Sequence, residues 1–300
     1  MERYNHLNTY LKEKFGERTL KICIDAGFTC PNRDGTKGYN GCIFCGERGS
    51  GEHLKTADIS KQVIEHLNSY RGQRANKFIV YFQNFTNTYD TLENLKAKYD
   101  SALIDDRIVG IQIATRPDCI NEEIVSFISS YKDNYYVCIE LGLQTANDKT
   151  GLLLNRGYNS KDFINAVKLL NKYNIDIVAH IMVGLPGETF DDLKNTINFL
   201  NNLNIQGLKI HSTYITNDTK LCKMYYNNEY SPITIDDYLE QLTYIITHIN
   251  PNIVLHRISG DAPKDMLIAP SWNSHKKLVL NGIDKILREK NLYQGIYFNN

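Results

Sequence analysis

Leu20-Lys21-Ile22-Cys23-Ile24-Asp25-Ala26 runs directly into Gly27-Phe28-Thr29-Cys30-Pro31-Asn32-Arg33-Asp34-Gly35, and a second glycine-bounded piece lies just beyond, Gly41-Cys42-Ile43-Phe44-Cys45-Gly46. The first seven residues alternate in character, the period-two signature of a strand with one buried face. The chain then enters a loop rich in Gly, Asn and Asp that carries three cysteines, eleven residues separating Cys30 from Cys42 and two separating Cys42 from Cys45. Three thiolates hold a metal centre while leaving one position open, and an open position is where chemistry takes place. A strand that delivers such a loop at its C-terminal end suits an α/β fold with its site on that rim.

Outward from this loop the chain repeats the unit. Strands are predicted at 20–26, 78–83, 108–116, 136–144, 175–185 and 208–213, with amphipathic helices between them at 59–70, 91–103, 122–131, 161–173 and 191–203. Ser160 and Thr189 read as N-caps. Six βα units in series imply a parallel sheet, either partly closed into a barrel or open and doubly wound.

Strand parity favours the barrel. Lys21, Cys23 and Asp25 share a face, as do Tyr81 and Gln83, Gln112 and Arg116, Cys138, Glu140 and Gln144, His180 and Met182, and Lys209 and His211. Each strand therefore has one apolar face for the helices and one face rich in polar groups. A barrel interior built only for stability is filled with Val, Ile and Leu; this one reads as the wall of a cavity for a polar ligand. The expected architecture is α/β, a partial (β/α)6 TIM-like barrel with a C-terminal helical and strand extension. A single domain spans 1–300: an N-terminal helix in 1–19, the barrel core in 20–215 and a cap in 216–300, the cap carrying a helix at 235–248, a strand at 253–258 and a helix near 276–288.

Bulk properties set limits. A 42% apolar share over 300 residues builds a core without metal. With 34 basic and 34 acidic residues the net charge is zero, which argues against a dominant nucleic-acid or membrane footprint. No apolar run spans a bilayer and the N-terminal stretch has no signal-peptide character, so a cytoplasmic location is expected. Seven cysteines fit a reducing compartment, and Cys23, Cys119, Cys138 and Cys222 form no second close pair. The glycines from Gly46 to Gly51 lack the Gly-Lys-Ser/Thr of a phosphate loop.

Three readings compete for the cysteine loop. Unligated cysteines are usually buried among apolar neighbours, unlike these. Zinc suits Cys42-x-x-Cys45 with His53 as a fourth ligand, but the second knuckle of a structural zinc site is missing. A [4Fe–4S] cluster needs only three thiolates when its fourth iron binds another ligand.

The loop, with Phe44 before its last cysteine, resembles the cluster loop of radical S-adenosylmethionine (SAM) enzymes. Their usual spacing is tighter, and the long first gap is similar to the branch of the elongator catalytic subunit and its small bacterial relatives of the YhcC/YtqA type. Segments 27–35, His256-Arg257-Ile258-Ser259-Gly260-Asp261 and Leu267-Ile268-Ala269-Pro270-Ser271-Trp272 resemble the bacterial members.

The resemblance implies a [4Fe–4S] cluster on Cys30, Cys42 and Cys45, and SAM as cofactor. It further implies SAM contacts at Phe44, at Gln83 where relatives have Gly-Gly-Glu, and at Glu140 and Gln144 with Gly142 leaving room between them. Arg156 is implied near the SAM carboxylate, His180 toward the ribose, and Val183 with Gly184 at the adenine edge. Lys209 and His211 are the expected catalytic pair on the substrate side, with Arg116 joining them; the alternative for Lys209 is a buried ion pair with Glu140 or Asp25. Glu188 is expected to cap a helix. The implied reaction is reductive cleavage of SAM to a 5′-deoxyadenosyl radical that takes a hydrogen atom from substrate. The implied partners are tRNA, modified at a wobble uridine, and an electron donor such as flavodoxin or ferredoxin, with no membrane. A small metabolite or porphyrin as substrate, or a non-catalytic zinc-stabilised RNA-binding module, are the alternatives.

Overall fold

Alternating branched and polar residues form strands at the expected places in the computed structural model, which describes residues 2–47, 49, 58–260 and 262–298. The strands are β1 (Thr19–Ile24), β2 (Lys77–Phe82), β3 (Ile108–Thr115), β4 (Tyr136–Gln144), β5 (Asp176–Val183), β6 (Gly207–Ser212), β7 (Ile215–Thr216), β8 (Val254–Arg257) and β9 (Leu267–Ala269). The helices are α1 (Leu7–Phe15), α2 (Ile59–Asn68), α3 (Leu92–Asp100), α4 (Glu122–Ser129), α5 (Asp148–Leu153), α6 (Ser160–Lys172), α7 (Phe190–Asn201), α8 (Lys220–Tyr226), α9 (Ile235–His248) and α10 (Lys276–Glu289). Among the described residues one sheet has seven strands in the order β1-β2-β3-β4-β5-β6-β8, every neighbouring pair parallel.

The seventh strand is the difference from six βα units. Residues 254–257 belong to the segment expected to cap the barrel, yet β8 pairs with β6, Leu208 opposite Leu255. The sheet curls so far that its edges nearly meet: Lys21 Nζ on β1 lies 3.3 Å from His256 Nδ1 on β8. The remaining gap is covered by the N-terminal segment, where His6 bridges to Leu255. The result is a curled half-barrel of parallel strands with helices outside.

Binary patterning explains the layering. Ile22, Val80, Ile111, Ile139, Ile181 and Ile210 face outward, fully buried against helix residues such as Val63, Tyr99, Phe163, Ile197 and Ile245. Helix starts are fixed by caps. Thr189 caps α7 as expected, in a reciprocal box with Asp192. The cap of α6 is Asn159, not Ser160, because the Asn159 side chain reaches the Asp162 N–H and leaves Ser160 as the first helical residue. Beyond β6, β7 and β9 form a short antiparallel ladder. The ends of the described chain are tied together: Asn5 N–H donates to Gln294 Oε1 (2.9 Å), Gln294 N–H to Arg3 O (2.8 Å), and Gln294 Nε2 to Ile253 O (2.7 Å). Among the described residues no helix is long and apolar enough to cross a membrane.

Candidate functional site

The loop after β1 folds back against Arg116, which follows β3, and against Leu154 and Asn155, which follow α5. Asn32 is 2% exposed and donates to Asn155 O at 2.5 Å, while Asn155 Nδ2 donates back to Gly41 O at 2.7 Å. Ile43 N–H bonds Leu154 O, and Leu221 N–H on α8 bonds Ile43 O. Arg33 forks onto the carbonyls of Cys45, Gly46 and Glu47. A small apolar cluster of Ile43, Leu154, Leu185, Ile215, Leu221 and Ala269 lies beneath, with Phe44 packed against it. The C-terminal extension thus helps seat the cysteines.

Cys30, Cys42 and Cys45 are half-buried and unpaired. Their thiols act on one another. Hydrogen bonding from Cys45, opposed by burial and helped by Arg116, Asn32 and Arg156, holds Cys42 below the ordinary thiol value. The same bond, burial, and the charges of Cys42 and Cys30 push Cys45 well up. Three thiols sharing charge in one loop are a suitable donor set for an iron–sulfur cluster. Among the described residues no group of three His, Cys, Asp or Glu is gathered to hold a metal ion. His53, the proposed fourth zinc ligand, lies outside the described residues, as do Arg48, Ser50, Gly51 and Asp261.

Arg156, expected near the SAM carboxylate, has its guanidinium enclosed by protein acceptors instead. It is fully buried, donating to the carbonyls of Leu143, Thr145 (2.7 Å) and Tyr158 (3.0 Å) and to Asp148 Oδ1 (3.1 Å). Its own carbonyl accepts from Arg116 at 2.9 Å. Arg156 is therefore a brace between the end of β4 and the segment on either side of α5. Arg156→Lys is expected to cost about 2–3 kcal/mol, because an ammonium cannot reproduce the planar fork; denaturant unfolding of the variant checks this. Arg116 is likewise displaced from its expected place beside Lys209: bidentate contacts at 2.9 Å to Asp118 hold it near Cys30, whose Sγ is 3.8 Å from Nη1.

Inside the barrel the polar faces converge on one carboxylate. Glu140 is fully buried; Oε1 accepts from Gln112 (2.6 Å) and Lys21 (3.2 Å), and Oε2 from Tyr81, His180 (2.6 Å) and Lys209 (2.9 Å). Five bonds fill the roughly four lone-pair sites of a carboxylate, so Glu140 has nothing left for SAM and the expected contact is replaced by a structural hub. His180, expected at a ribose, is one of its partners. Lys209, expected as catalytic, forms the buried ion pair named as its alternative, with Tyr81 Oη at 2.8 Å as second partner. His211 stands apart, its ring 5.6 Å from that of His180.

Burial works against the Glu140 charge, but Lys209, Lys21 and His180 outweigh it and hold the carboxyl well below its ordinary value. Burial, aided by the Lys209 charge, pushes His180 down to about 4. Both folded-state values are depressed, so both groups contribute stability that is present above their unfolded pKa values and lost on acidification. His180 loses its share between about pH 6.5 and 4, and Glu140 below about pH 4.5. A stability profile by chemical denaturation is expected to fall from pH 7 to 4, with a smaller fall in His180→Gln.

The remaining expected contacts line the rim. Gln83 closes β2 with its N–H on Ile24 O at 3.3 Å. Gln144 has φ of +60°, an unusual conformation for a residue with a Cβ, and accepts from Tyr158 Oη at 2.7 Å. The room at Gly142 is taken by these two: an added Cβ would lie 2.8 Å from Gln144 Nε2 and 3.1 Å from Tyr158 Oη. Val183 O accepts from Thr213 N–H (2.9 Å) and Gly184 O from Tyr230 Oη (2.6 Å), each keeping its second lone pair.

Sequence reasoning missed the turn after β2. Asn84, Thr86, Asn87 and Thr88 are each at most 1% exposed, and Asn84 Oδ1 and Thr86 Oγ1 have no hydrogen-bond partner among the described residues. Thr86 N–H bonds Thr29 O beside Cys30. Unpaired acceptors buried next to the cysteine loop fit a polar ligand that carries donors, as the amino group of SAM does. The signal was a run of small polar residues where an apolar strand ends.

Two family models cover most of the chain: the radical SAM superfamily matches residues 30–200 and the radical SAM C-terminal domain residues 205–289. The uncharacterized protein YtqA of Bacillus subtilis is 38% identical over 300 residues, covering 99% of this chain and 93% of that protein. A tRNA uridine(34) acetyltransferase of Methanocaldococcus infernus is 26% identical over 170 residues, 54% of this chain and 30% of that enzyme. The solved structure of Elp3 from Methanocaldococcus infernus superimposes with a TM-score of 0.69 at 19% identity, covering 92% of this chain and 64% of that one, a likeness of fold.

Proposed function

This chain belongs to the radical SAM superfamily, whose members use a [4Fe–4S] cluster and SAM, and from that membership we propose that it modifies a wobble uridine in tRNA. The observation that carries the reading is a three-cysteine loop clamped over a polar-lined half-barrel, with buried, unpaired acceptors beside it. Cys30, Cys42 and Cys45 supply the thiolates. Asn84 and Thr86 accept from the SAM amino group, with Gln83 and Gln144 on the same rim. Phe44, within the loop, packs against the apolar cluster beneath it. When bound, the cluster and SAM supply a one-electron reductive cleavage that makes an unreactive C–H bond of the substrate accessible.

The tRNA substrate is supported by the Methanocaldococcus infernus relative, a tRNA uridine(34) acetyltransferase. A neutral net charge means that local basic residues, rather than an overall field, supply the phosphate contacts. The electron donor is a flavodoxin or ferredoxin.

The test is anaerobic reconstitution with iron and sulfide, assay of 5′-deoxyadenosine, and mass-spectrometric comparison of tRNA nucleosides from cells with and without the protein. Nucleoside accumulation at position 34 is expected. An unchanged nucleoside profile with intact SAM cleavage removes tRNA as substrate; absent SAM cleavage removes the whole reading.

A further inference from the structure

Three lumen cations surround one lumen carboxylate. Lys21 and Lys209 both bond Glu140, while the guanidinium of Arg257, at the end of β8, has no hydrogen bond or ion pair among the described residues. In the β6–β8 register Arg257 lies opposite Lys209, whose ammonium is inside the lumen, and its charge acts on Cys23 of β1, Tyr81 of β2, His180 of β5, and Lys209 and His211 of β6. The imidazoles add no negative charge. Asp25 is spent on its own turn, its Oδ1 accepting from Gly27 N–H at 2.9 Å.

Two unpartnered groups accompany Arg257. The His211 ring makes no hydrogen bond among the described residues, and Arg257 is the foremost of the charges acting on it. Thr213 lies two residues further along the same face, fully buried, with its hydroxyl unsatisfied. A charge is brought into a low-dielectric cavity only when something is there to meet it, and a buried hydroxyl is left unpaired at a cost.

We propose that Arg257, His211 and Thr213 form an anion anchor that binds a carboxylate or phosphoryl group of the substrate. A guanidinium forks onto two anionic oxygens, and a hydroxyl and a neutral imidazole N–H each donate one more bond. The anchor lies away from the cysteine loop, although it adjoins the expected adenine side, where the Thr213 N–H bonds Val183 O. The cysteine loop leans on Arg116, which follows β3, and on Asn155, which follows α5, whereas the anchor belongs to β6 and β8. A substrate held by its anionic end on the β6–β8 side extends across the lumen toward the cysteines. This orientation rests on the radical SAM reading, which places the cofactor at the loop.

The experiment titrates inorganic phosphate and, separately, acetate into anaerobic, cluster-loaded protein carrying ¹⁵N-histidine, with and without saturating SAM, following the His211 ring nitrogens. Saturable shifts are expected, from phosphate if the group is phosphoryl and from acetate if it is a carboxylate. Arg257→Gln should weaken binding by about tenfold or more and Thr213→Val by several-fold, with SAM affinity unchanged. Thr213→Val serves if Arg257→Gln fails to fold. The proposal is overturned if neither anion shifts His211, if the variants bind as the wild type does, or if SAM abolishes anion binding, since Arg257 would then serve the cofactor. Iron content and SAM binding of the same samples report separately on the radical SAM reading, and the titration without SAM decides the anchor even where that reading fails.

Discussion

Glu140→Gln is expected to lower folding stability by about 3–5 kcal/mol, because it removes the one carboxylate that buried Lys209 and half-buried Lys21 share. Lys21 and Lys209 would be left with an amide, and the Tyr81 hydroxyl would lose its anionic acceptor. The fall in Tm for a chain of this size is on the order of 10 °C. The double variant Glu140→Gln/Lys209→Met should recover part of the loss, since it also removes one stranded cation; thermal melts of the apo proteins decide it. A Glu140→Gln protein as stable as the wild type would mean that the hub is solvated rather than buried.

Cys42→Ala is expected to give the opposite pattern: 5′-deoxyadenosine production falls to background while the fold stands. Loss of one of three thiolates leaves iron without a full donor set. The loop itself is held by Arg33, Asn32, Asn155 and the Ile43 backbone, none of which needs the Cys42 sulfur for its main contact. Apo wild type and apo Cys42→Ala should therefore unfold within about 1 kcal/mol of each other, and iron analysis should show depleted metal. Retained SAM cleavage in the variant would contradict the assignment of the cluster to these cysteines.

Much of this was legible from residue order alone. Period-two alternation placed six strands and sorted their faces correctly, because a half-buried strand has no other way to satisfy both core and lumen. The cysteine loop was legible because its spacing and glycine content have few other uses. What escaped was pairing across strands. Glu140 meets Lys21 from 119 residues away and Lys209 from 69, and only strand register reveals that all three point at one spot. Arg156 read as a ligand contact because a sequence gives no sign that four acceptors, three of them backbone carbonyls, enclose it. The strand at residues 254–257 was visible, but its place beside β6 was not, since no local pattern names a partner strand.

The seam that completes the curled sheet has a kinetic consequence. Asn5 and Gln294, and Arg3 and Asn291, are bonded across separations of 289 and 288 residues. The loop-closure entropy of such contacts is repaid only after the intervening chain is ordered. The cysteine loop and its clamp at Asn155 need far less of the chain. Refolding followed by pulse-labelled hydrogen exchange should find amides near Asn155 protected early and those of Asn5 and Gln294 last, so that the Asn155 side of the cysteine clamp forms while the lumen is still open along one side.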